Sequence, residues 1–384
     1  TGETLRDDAW LAEVVHTSEK LAARLYAREQ GEDFGLGQQN GSESGTRKIG
    51  AEADYQLNQT IALSGDVYRQ TNLPTDAERD MGEGRVTYDN GEYRLYGGLR
   101  MAEDRLGDGS VDRSNMLLGG AARSFYENRL QLRLDHEQLL NGGDNSGAYP
   151  TRTLAGADFR LTDMVSLFGE QELTWGSDED TQSTRAGVKA TPWRGGQLGS
   201  SVGREFTEAS QRVFANLGLN QTWQINERWS LDGGFERSHT IEASGETSLV
   251  GFADDDFTAL SLGAGYRADI WSWTSRAESR FADDEEKWNL LSGVIVEPMH
   301  GLGLSAGLQL NITDSDQGQD DTTGDLRLSL AWRPKNTRWI ILDRLDYKFD
   351  STDGSGLDTE SRRIVNNLNL NYKPFNRLQL ALQY

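Results

Sequence analysis

The segment RKIGAEADYQLNQTIALSGDVYR, residues Arg47–Arg69, decides the fold of this chain. Its first part, Arg47–Gln56, alternates apolar and polar side chains, and its second part, Thr60–Arg69, does the same after the short turn Leu57–Gln59. Side chains of a β-strand point to opposite faces with period two, so each part predicts a strand with one apolar and one polar face. The two strands and their tight turn predict an antiparallel hairpin.

The same pattern repeats along the chain, and the connections between the predicted strands are alternately short and long. The next hairpin joins Gly82–Asp89 to Glu92–Glu103 across a two-residue Asn-Gly turn, whereas the connections on either side of it, Gln70–Met81 and Asp104–Arg113, are long and polar. We count about 21 such stretches of roughly 8 to 13 residues. Outer-membrane barrels sort their connections in this way, with short periplasmic turns and longer outer loops. The sequence therefore predicts an all-β fold, a large antiparallel up-and-down transmembrane β-barrel of about 20 or more strands.

Each predicted strand has one face that suits lipid and one that suits water. In one of them, Leu130, Leu132 and Leu134 alternate with Gln131 and Arg133. A strand of about 11 residues tilted by about 40° rises roughly 28 Å, which matches the apolar band of an outer-membrane barrel. We therefore expect the leucine face to contact lipid and the charged face to stay hydrated.

Composition excludes several classes of protein. The chain has 384 residues, no cysteine, a formal net charge of −22 and a mean hydropathy of −0.66. No apolar run approaches the about 18 residues of a transmembrane helix, so a helical membrane protein is excluded. The negative charge also argues against nucleic acid as a partner, because no basic stripe offsets the repulsion from phosphates.

The first 19 residues differ from the repeating part. Thr1–Glu19 shows no strand repeat, and Asp8–Glu19 has the pattern of a short helix. We interpret residues 1–19 as a linker or a segment inside the barrel, and residues 20–384 as the outer-membrane barrel. Thr1–Lys20 lacks the basic start and apolar core of a signal peptide, so we expect an export signal upstream of this sequence.

Large aromatic residues cluster beside the short turns. Amphipathic rings favour the membrane interface, and outer-membrane barrels carry girdles of them. Aromatic residues also flank turns in other β proteins, but their concentration at one edge favours a girdle. The predicted girdle comprises Trp193, Trp223, Trp229, Trp271, Trp273, Trp332, Trp339 and Tyr372.

The sequence contains no convincing catalytic site, and we expect that the protein is not an enzyme. Gly199–Gly203 matches the G-x-S-x-G pattern of serine hydrolases, but it lies inside a predicted strand, and no helix follows. The four histidines, His16, His136, His239 and His300, are scattered, and none has an evident serine partner. Without cysteines or paired histidines, a transition-metal site is not expected either.

Acidic runs in the long connections are the remaining candidates for ion binding. Carboxylates are preferred ligands of Ca²⁺ and Mg²⁺, which could bridge the protein to lipopolysaccharide phosphates. A solvated acidic rim that keeps the exposed end soluble explains the same residues, and no segment matches a calcium-binding loop. We expect no other cofactor. The candidate residues for divalent-cation contacts are Asp254, Asp255, Asp256, Asp283 and Asp284.

Several segments resemble a known family of barrels, most clearly from about Thr151 onward. They include VFANLGLNQTWQINERWS (Val213–Ser230), DLRLSLAWRPKNTRWIILDRLDYKF (Asp325–Phe349) and SRRIVNNLNLNYKPFNRLQLALQY (Ser361–Tyr384). These resemble the C-terminal outer-membrane barrel of very large repeat-bearing surface proteins of Gram-negative bacteria. The resemblance implies that the barrel follows arrays of adhesive repeats and has no catalytic residues. It also implies that the family's barrel continues for roughly a hundred further residues, on the order of six strands.

The strand count bears on the same question. Bacterial single-chain barrels have an even number of strands, whereas our count of about 21 is odd. Either further strands follow Tyr384 in the native protein, which we favour, or one weak strand is missing from the count.

The functional prediction is an outer-membrane barrel of a Gram-negative bacterium that acts as an anchor or translocation module for a larger surface polypeptide. A porin-type diffusion channel and a scaffold that encloses an envelope partner are the alternatives within this fold. A soluble β protein, such as a propeller, is the alternative outside it. The expected partners are outer-membrane lipid, lipopolysaccharide and a polypeptide in the lumen, either an upstream segment or an envelope protein. A wide lumen usually needs such an occupant.

Overall fold

The structure is a computed structural model that describes residues 9–32, 45–142, 149–176, 180–207, 210–245, 256–316, 318–335, 337–354, 358–375 and 378–383. These residues form 22 β-strands, and no helix occurs among them. In this part of the chain, no helix is long and apolar enough to span a membrane. The chain divides into two compact units: the first is Thr1–Ala186 with Arg204–Gln211, and the second is Gly187–Gly203 with Arg212–Tyr384.

In the first unit, each strand pairs antiparallel with the next one from β1 through β10. Side-chain alternation sets this register, because a slip by one residue would move every leucine to the polar face. The strands are β1 (Ala9–Thr17), β2 (Leu21–Gln30), β3 (Thr46–Gln56), β4 (Ile61–Asn72), β5 (Glu78–Asp89), β6 (Tyr93–Arg105), β7 (Val111–Phe125), β8 (Leu130–Gly142), β9 (Thr151–Arg160) and β10 (Val165–Trp175).

The division between the units runs through the next three strands, β11 (Thr181–Ala190), β12 (Gly196–Thr207) and β13 (Ser210–Gln224). In the second unit, β14 through β22 again pair antiparallel in chain order. They are β14 (Trp229–Gly245), β15 (Phe257–Arg267), β16 (Trp271–Ala282), β17 (Glu285–Met299), β18 (Leu302–Ser315), β19 (Gln319–Trp332), β20 (Trp339–Gly354), β21 (Thr359–Phe375) and β22 (Leu378–Gln383).

The two ends of the strands differ in their connections. The longest connections, 31–45, 143–150 and 246–256, each join an even-numbered strand to the next odd-numbered one, and we call this end of each unit the loop end. Tight turns close the opposite end, the turn end. One of them is built around Asn58, whose Oδ1 accepts hydrogen bonds from the backbone N–H groups of Thr60 and Ile61 at 2.9 Å. In another, Gly91 adopts a φ of 85°, a conformation that glycine takes without strain.

Two expectations about strand boundaries were wrong. Ala9–Thr17, assigned from the sequence to a lead-in with a short helix, forms β1 and pairs with β2, so the sheet begins before residue 20. With this strand the described residues form 22 strands, so the predicted odd count is wrong. Strands at the loop end also run further than predicted. For example, β4 and β5 take up most of the expected Gln70–Met81 loop, because polar residues beyond the apolar band continue the hydrogen-bonded ladder.

The apolar face is exposed, as predicted. Leu132 and Leu134 of β8 keep 41% and 49% of their surface accessible, and Leu326 and Leu328 of β19 keep 45% and 48%. Among the described residues, only five hydrophobic side chains are buried: Tyr26, Ala102, Met116, Leu118 and Ala259. A soluble protein of this size would bury far more apolar surface, so the exposed face needs an apolar solvent.

Candidate functional site

The polar side chains that alternate with the exposed apolar ones form the wet face of the sheet, which is the candidate functional site. In the first unit, this face carries rows of opposite charges that cross several strands. Arg100 of β6 contacts Glu83 of β5 at 2.8 Å and Glu137 of β8 at 3.3 Å. Arg24 of β2 contacts Glu13 of β1 at 3.1 Å. We call this network of the first unit the charge ladder.

Further along the same unit, the charge ladder continues on β8 to β11. Arg152 forms a bidentate pair with Glu172, at 2.7 and 2.9 Å. Glu170 accepts a hydrogen bond from Arg133 and lies 3.6 Å from Arg185. Guanidinium and carboxylate groups from different strands pair in these contacts, so this wall presents both signs to water.

Aromatic rings lie within the charge ladder. The hydroxyl of Tyr96 donates a hydrogen bond to Asp135 at 2.7 Å, and the Arg85 guanidinium lies over the Tyr96 ring, 4.6 Å from its centroid. Tyr149, which follows the 143–148 segment, brings its ring to 5.7 Å from Arg79 and 6.0 Å from Arg100. Sequence reasoning missed Tyr149. This residue lies in a connection between strands, where no alternation pattern indicates which strands its ring contacts.

In the second unit, the wet face contains a row of glycines. Register places Gly265, Gly293 and Gly307 in one row across β15, β17 and β18, and Gly293 pairs directly with Gly307. Without side chains, these positions form the floor of a depression of about 460 Å³. Its sides include Arg276, which contacts Asp232 at 3.3 Å. We call this feature the glycine depression.

Beside the glycine depression, one carboxylate is fully buried. Asp346 of β20 has no exposed surface and contacts Arg344 at 2.7 Å and Arg327 at 3.4 Å. Both arginines remain partly exposed. The sequence places Asp346 on the wet face but does not reveal that it is buried between two cations.

The structure places all eight residues of the predicted aromatic girdle at the turn end. Trp229 packs against Tyr266 at 4.8 Å between ring centroids and against Trp273 at 6.4 Å. Trp339 packs against Tyr372 at 4.6 Å. Trp193 and Trp223 adjoin the turns after β11 and β13, Trp271 starts β16, and Trp332 ends β19. Tyr266, absent from the predicted girdle, packs against Trp271 with 4.9 Å between the ring centroids. A role of these rings at the membrane interface stays a prediction.

The acidic candidates separate into three groups. Asp254 and Asp255 lie outside the described residues. Asp256 accepts hydrogen bonds from His239 Nδ1 at 2.7 Å and from the backbone N–H of Thr240. Burial acts to raise the pKa of Asp256, but these hydrogen bonds outweigh it, and the pKa lies below its usual value.

Asp283 and Asp284 form the two-residue connection between β16 and β17. Within the described ranges, no group of three or more acidic or histidine side chains is placed to hold a metal ion. The Gly199–Gly203 motif lies within β12, so it lacks the strand–turn–helix geometry of a nucleophile elbow.

Comparison with known proteins identifies the fold. No protein-family model matches the chain, and no curated protein is significantly similar to it in sequence. The ferric enterobactin receptor PfeA from Pseudomonas aeruginosa, in complex with enterobactin, matches with a TM-score of 0.61 at 10% identity, over 98% of this chain and 74% of the receptor. The FrpB iron transporter from Neisseria meningitidis matches with a TM-score of 0.59 at 11% identity, over 96% and 77%. The siderophore receptor PirA from Pseudomonas aeruginosa gives 0.52 at 11%, over 98% and 71%.

At these identities, the likeness concerns the fold alone. The chain is a large, antiparallel, up-and-down outer-membrane β-barrel, and the predicted fold class is confirmed. Barrels of this kind belong to the outer membrane of Gram-negative bacteria, so the predicted localisation follows from the fold and agrees with the exposed apolar face.

Proposed function

We propose that this barrel anchors a larger polypeptide in the outer membrane, presents it at the cell surface, and has no enzymatic activity. The observation that carries the proposal is the direction of β1. Ala9 pairs with Gln30 at the loop end, and the strand runs from there to the tight turn at Ser18–Lys20. Within the described residues, β1 thus runs from the loop end to the turn end.

In outer-membrane barrels, the longer loops face the outside of the cell. A polypeptide joined before β1 would therefore emerge at the cell surface. In the family of surface proteins that this chain resembles, the adhesive repeats are expected on that side of the membrane. The opposite direction would have placed such a polypeptide in the periplasm.

The charge ladder fits the same role. A ring of one charge sign selects ions of the other sign, whereas the first unit carries both signs in ion pairs between strands. A wall of this kind accommodates a polar polypeptide, whose own side chains carry both charges and many hydrogen-bonding groups. The role is passive, because hydrogen bonds between neighbouring strands satisfy the backbone groups in lipid.

The experiment joins an epitope before Thr1 and expresses the fusion with an export signal in a Gram-negative host. We expect protease to remove the epitope from intact cells. Since the chain contains no cysteine, two single-cysteine variants report sidedness independently. Asp108→Cys lies in the β6–β7 connection at the loop end, and Asn58→Cys lies at the turn end.

A membrane-impermeant maleimide should label Asp108→Cys on intact cells and Asn58→Cys only after lysis. If Asp108→Cys is labelled on intact cells but the epitope stays protected, surface anchoring is wrong although the orientation is right. If only Asn58→Cys is labelled, the orientation itself is wrong.

A channel for polar solutes is a second candidate function, favoured by the glycine depression. The likeness in fold to receptors and a transporter is compatible with it. Single-channel recording of the purified 384-residue chain tests this function. A steady conductance that Gly307→Trp lowers would favour a channel, because a Cβ at Gly307 meets no atom closer than 3.9 Å and a large ring would enter the depression.

A further inference from the structure

The apolar face of the first unit has a shallow groove near the loop end. Its floor consists of Leu25, Ile49, Val67, Gly82 and Met101 on β2 to β6, and its volume is about 760 Å³. The four large side chains of the floor keep 54% to 57% of their surface exposed. Gly82 lies between Val67 and Met101 on neighbouring strands. Because Gly82 has no side chain, the groove is deeper at this position. We call this feature the outer groove.

A charged rim borders the outer groove on its loop-end side. Each rim residue lies two positions beyond a residue of the apolar face, so it shares that face: Arg69 follows Val67, and Glu103 follows Met101. Arg69 holds Asp80 in a bidentate pair at 2.6 and 2.7 Å. Glu103 accepts a hydrogen bond from Arg113 at 2.8 Å.

Arg105 connects the two halves of the rim. It contacts Glu103 at 2.7 Å, Glu78 at 3.1 Å and Asp80 at 3.7 Å. The rim is therefore a continuous network of arginines and carboxylates that stands directly above exposed apolar side chains. Charged groups in this position meet the headgroups of the membrane leaflet, whereas the floor meets acyl chains.

The rim keeps free hydrogen-bonding capacity. Arg113 uses Nε for Glu103, and its side chain is 70% exposed, so its terminal amino groups are accessible. The side chain of Arg69 is 55% exposed. Guanidinium groups bind phosphate through paired hydrogen bonds. Carboxylates beside them can share a divalent cation with the same phosphate.

The second unit has a different border at its loop end. There, Phe281 and Trp288 on the apolar face pack edge to face with 5.9 Å between their centroids. Aromatic rings suit any lipid–water interface, whereas an arginine–carboxylate network suits a headgroup of high charge. The border of the outer groove is thus an arginine–carboxylate network, whereas the border at Phe281 and Trp288 is aromatic.

We infer that the outer groove binds a bisphosphorylated, multiply acylated glycolipid of the outer leaflet, the lipid A part of lipopolysaccharide. Acyl chains lie on the floor, and the phosphates contact Arg69 and Arg113. The inference depends on the outer-membrane location and on the loop end facing outward, but it is independent of the anchoring function.

The test measures binding of lipid A to the purified, folded 384-residue chain in detergent by native mass spectrometry. Phosphatidylglycerol and phosphatidylethanolamine serve as comparison lipids. Arg69→Ala/Arg113→Ala removes two phosphate contacts and should weaken lipid A binding about 10- to 30-fold. Gly82→Leu fills the floor without changing a charge and should also weaken binding. A Cβ at Gly82 is 3.6 Å from Val67 Cγ1, an ordinary contact, so this variant should fold.

Arg362→Ala is the matched control. Arg362 also lies on the apolar face at the loop end, its side chain is 67% exposed, and it pairs with Glu360, but it does not line the outer groove. Heat-modifiable gel mobility verifies that each variant is folded. The inference is overturned if folded Arg69→Ala/Arg113→Ala binds lipid A as well as the parent chain, if Arg362→Ala weakens binding equally, or if phosphatidylglycerol binds as tightly as lipid A.

Discussion

The wet faces of the two units achieve polarity by different means. In the first unit, the charge ladder gives most charges an opposite partner on a neighbouring strand and keeps them partly exposed, as Arg100 shows between Glu83 and Glu137. In the second unit, the row of glycines replaces side chains, and the charges gather at its edge around the fully buried Asp346.

The difference concerns how much each charge depends on its partner. A partly exposed charge in a network keeps water and a second partner when one ion pair is removed, so each pair contributes little to stability. A buried carboxylate such as Asp346 is cut off from water, so the loss of one of its cations leaves its charge poorly compensated. The first unit should therefore tolerate loss of a charge much better than the second.

The largest expected effect is at Asp346. Arg344→Ala removes the nearer of the two arginines and leaves the fully buried Asp346 carboxylate poorly compensated, and we expect a loss of about 3 kcal/mol in the free energy of unfolding. Glu137→Ala in the charge ladder is the control and should lose about 1 kcal/mol or less, because Arg100 keeps Glu83. Urea unfolding in lipid vesicles measures both. Equal losses would mean that the two faces do not differ in this way.

The next effect tests the assignment of faces itself. Leu132→Arg places a charge on the lipid-facing side of β8 and should destabilise the barrel by roughly 2–4 kcal/mol. Arg133→Leu, one position along, loses its contact with Glu170 on the wet face and should be milder. Heat-modifiable gel mobility compares the folded fractions, and identical behaviour of the two variants would contradict the assignment.

A matched pair of glycines compares packing in the two units. At Gly120 in the charge ladder, an added Cβ would collide with the Tyr96 ring and with Asp135, so Gly120→Ala should cost about 1–3 kcal/mol. At Gly293 in the glycine depression, the closest atom to a new Cβ is the Ala306 carbonyl oxygen at 3.7 Å. Gly293→Ala should therefore change the unfolding free energy by less than about 0.5 kcal/mol. A large loss at Gly293 would mean that the depression is filled.

The last comparison concerns a single hydrogen bond of the charge ladder, at Tyr96. Tyr96→Phe removes the hydrogen bond to Asp135 but keeps the ring beneath Arg85, and it should cost about 1 kcal/mol. A double-mutant cycle with Asp135→Ala isolates the bond. If the two substitutions are additive in unfolding free energy, the hydroxyl and the carboxylate do not interact, and the charge ladder is looser than the structure indicates.

Strand boundaries and unusual polar positions show where sequence reasoning was insufficient. Ala9–Thr17 looked helical because apolar residues occur there without strict alternation, and pairing with β2 overrides that local pattern. Asp343 is another case: alternation places it on the apolar face of β20, where a carboxylate is unfavourable. Only the structure shows that Asn366 of β21, which pairs with Leu345, donates a hydrogen bond to Asp343 at 2.9 Å.

The sequence by itself determined the all-β class, the antiparallel hairpins, the identity of the two faces and the sorting of turns, because these follow from period-two alternation and from turn chemistry within a few residues. The tertiary structure decided which charges meet, that Asp346 is buried, that three glycines align into a depression and that Tyr149 reaches the charge ladder. These features depend on register between strands distant along the chain. The energy that fixes the register of two strands is the sum over many hydrogen bonds and side-chain pairs. The sequence around a single residue therefore does not indicate which residue it faces on the next strand.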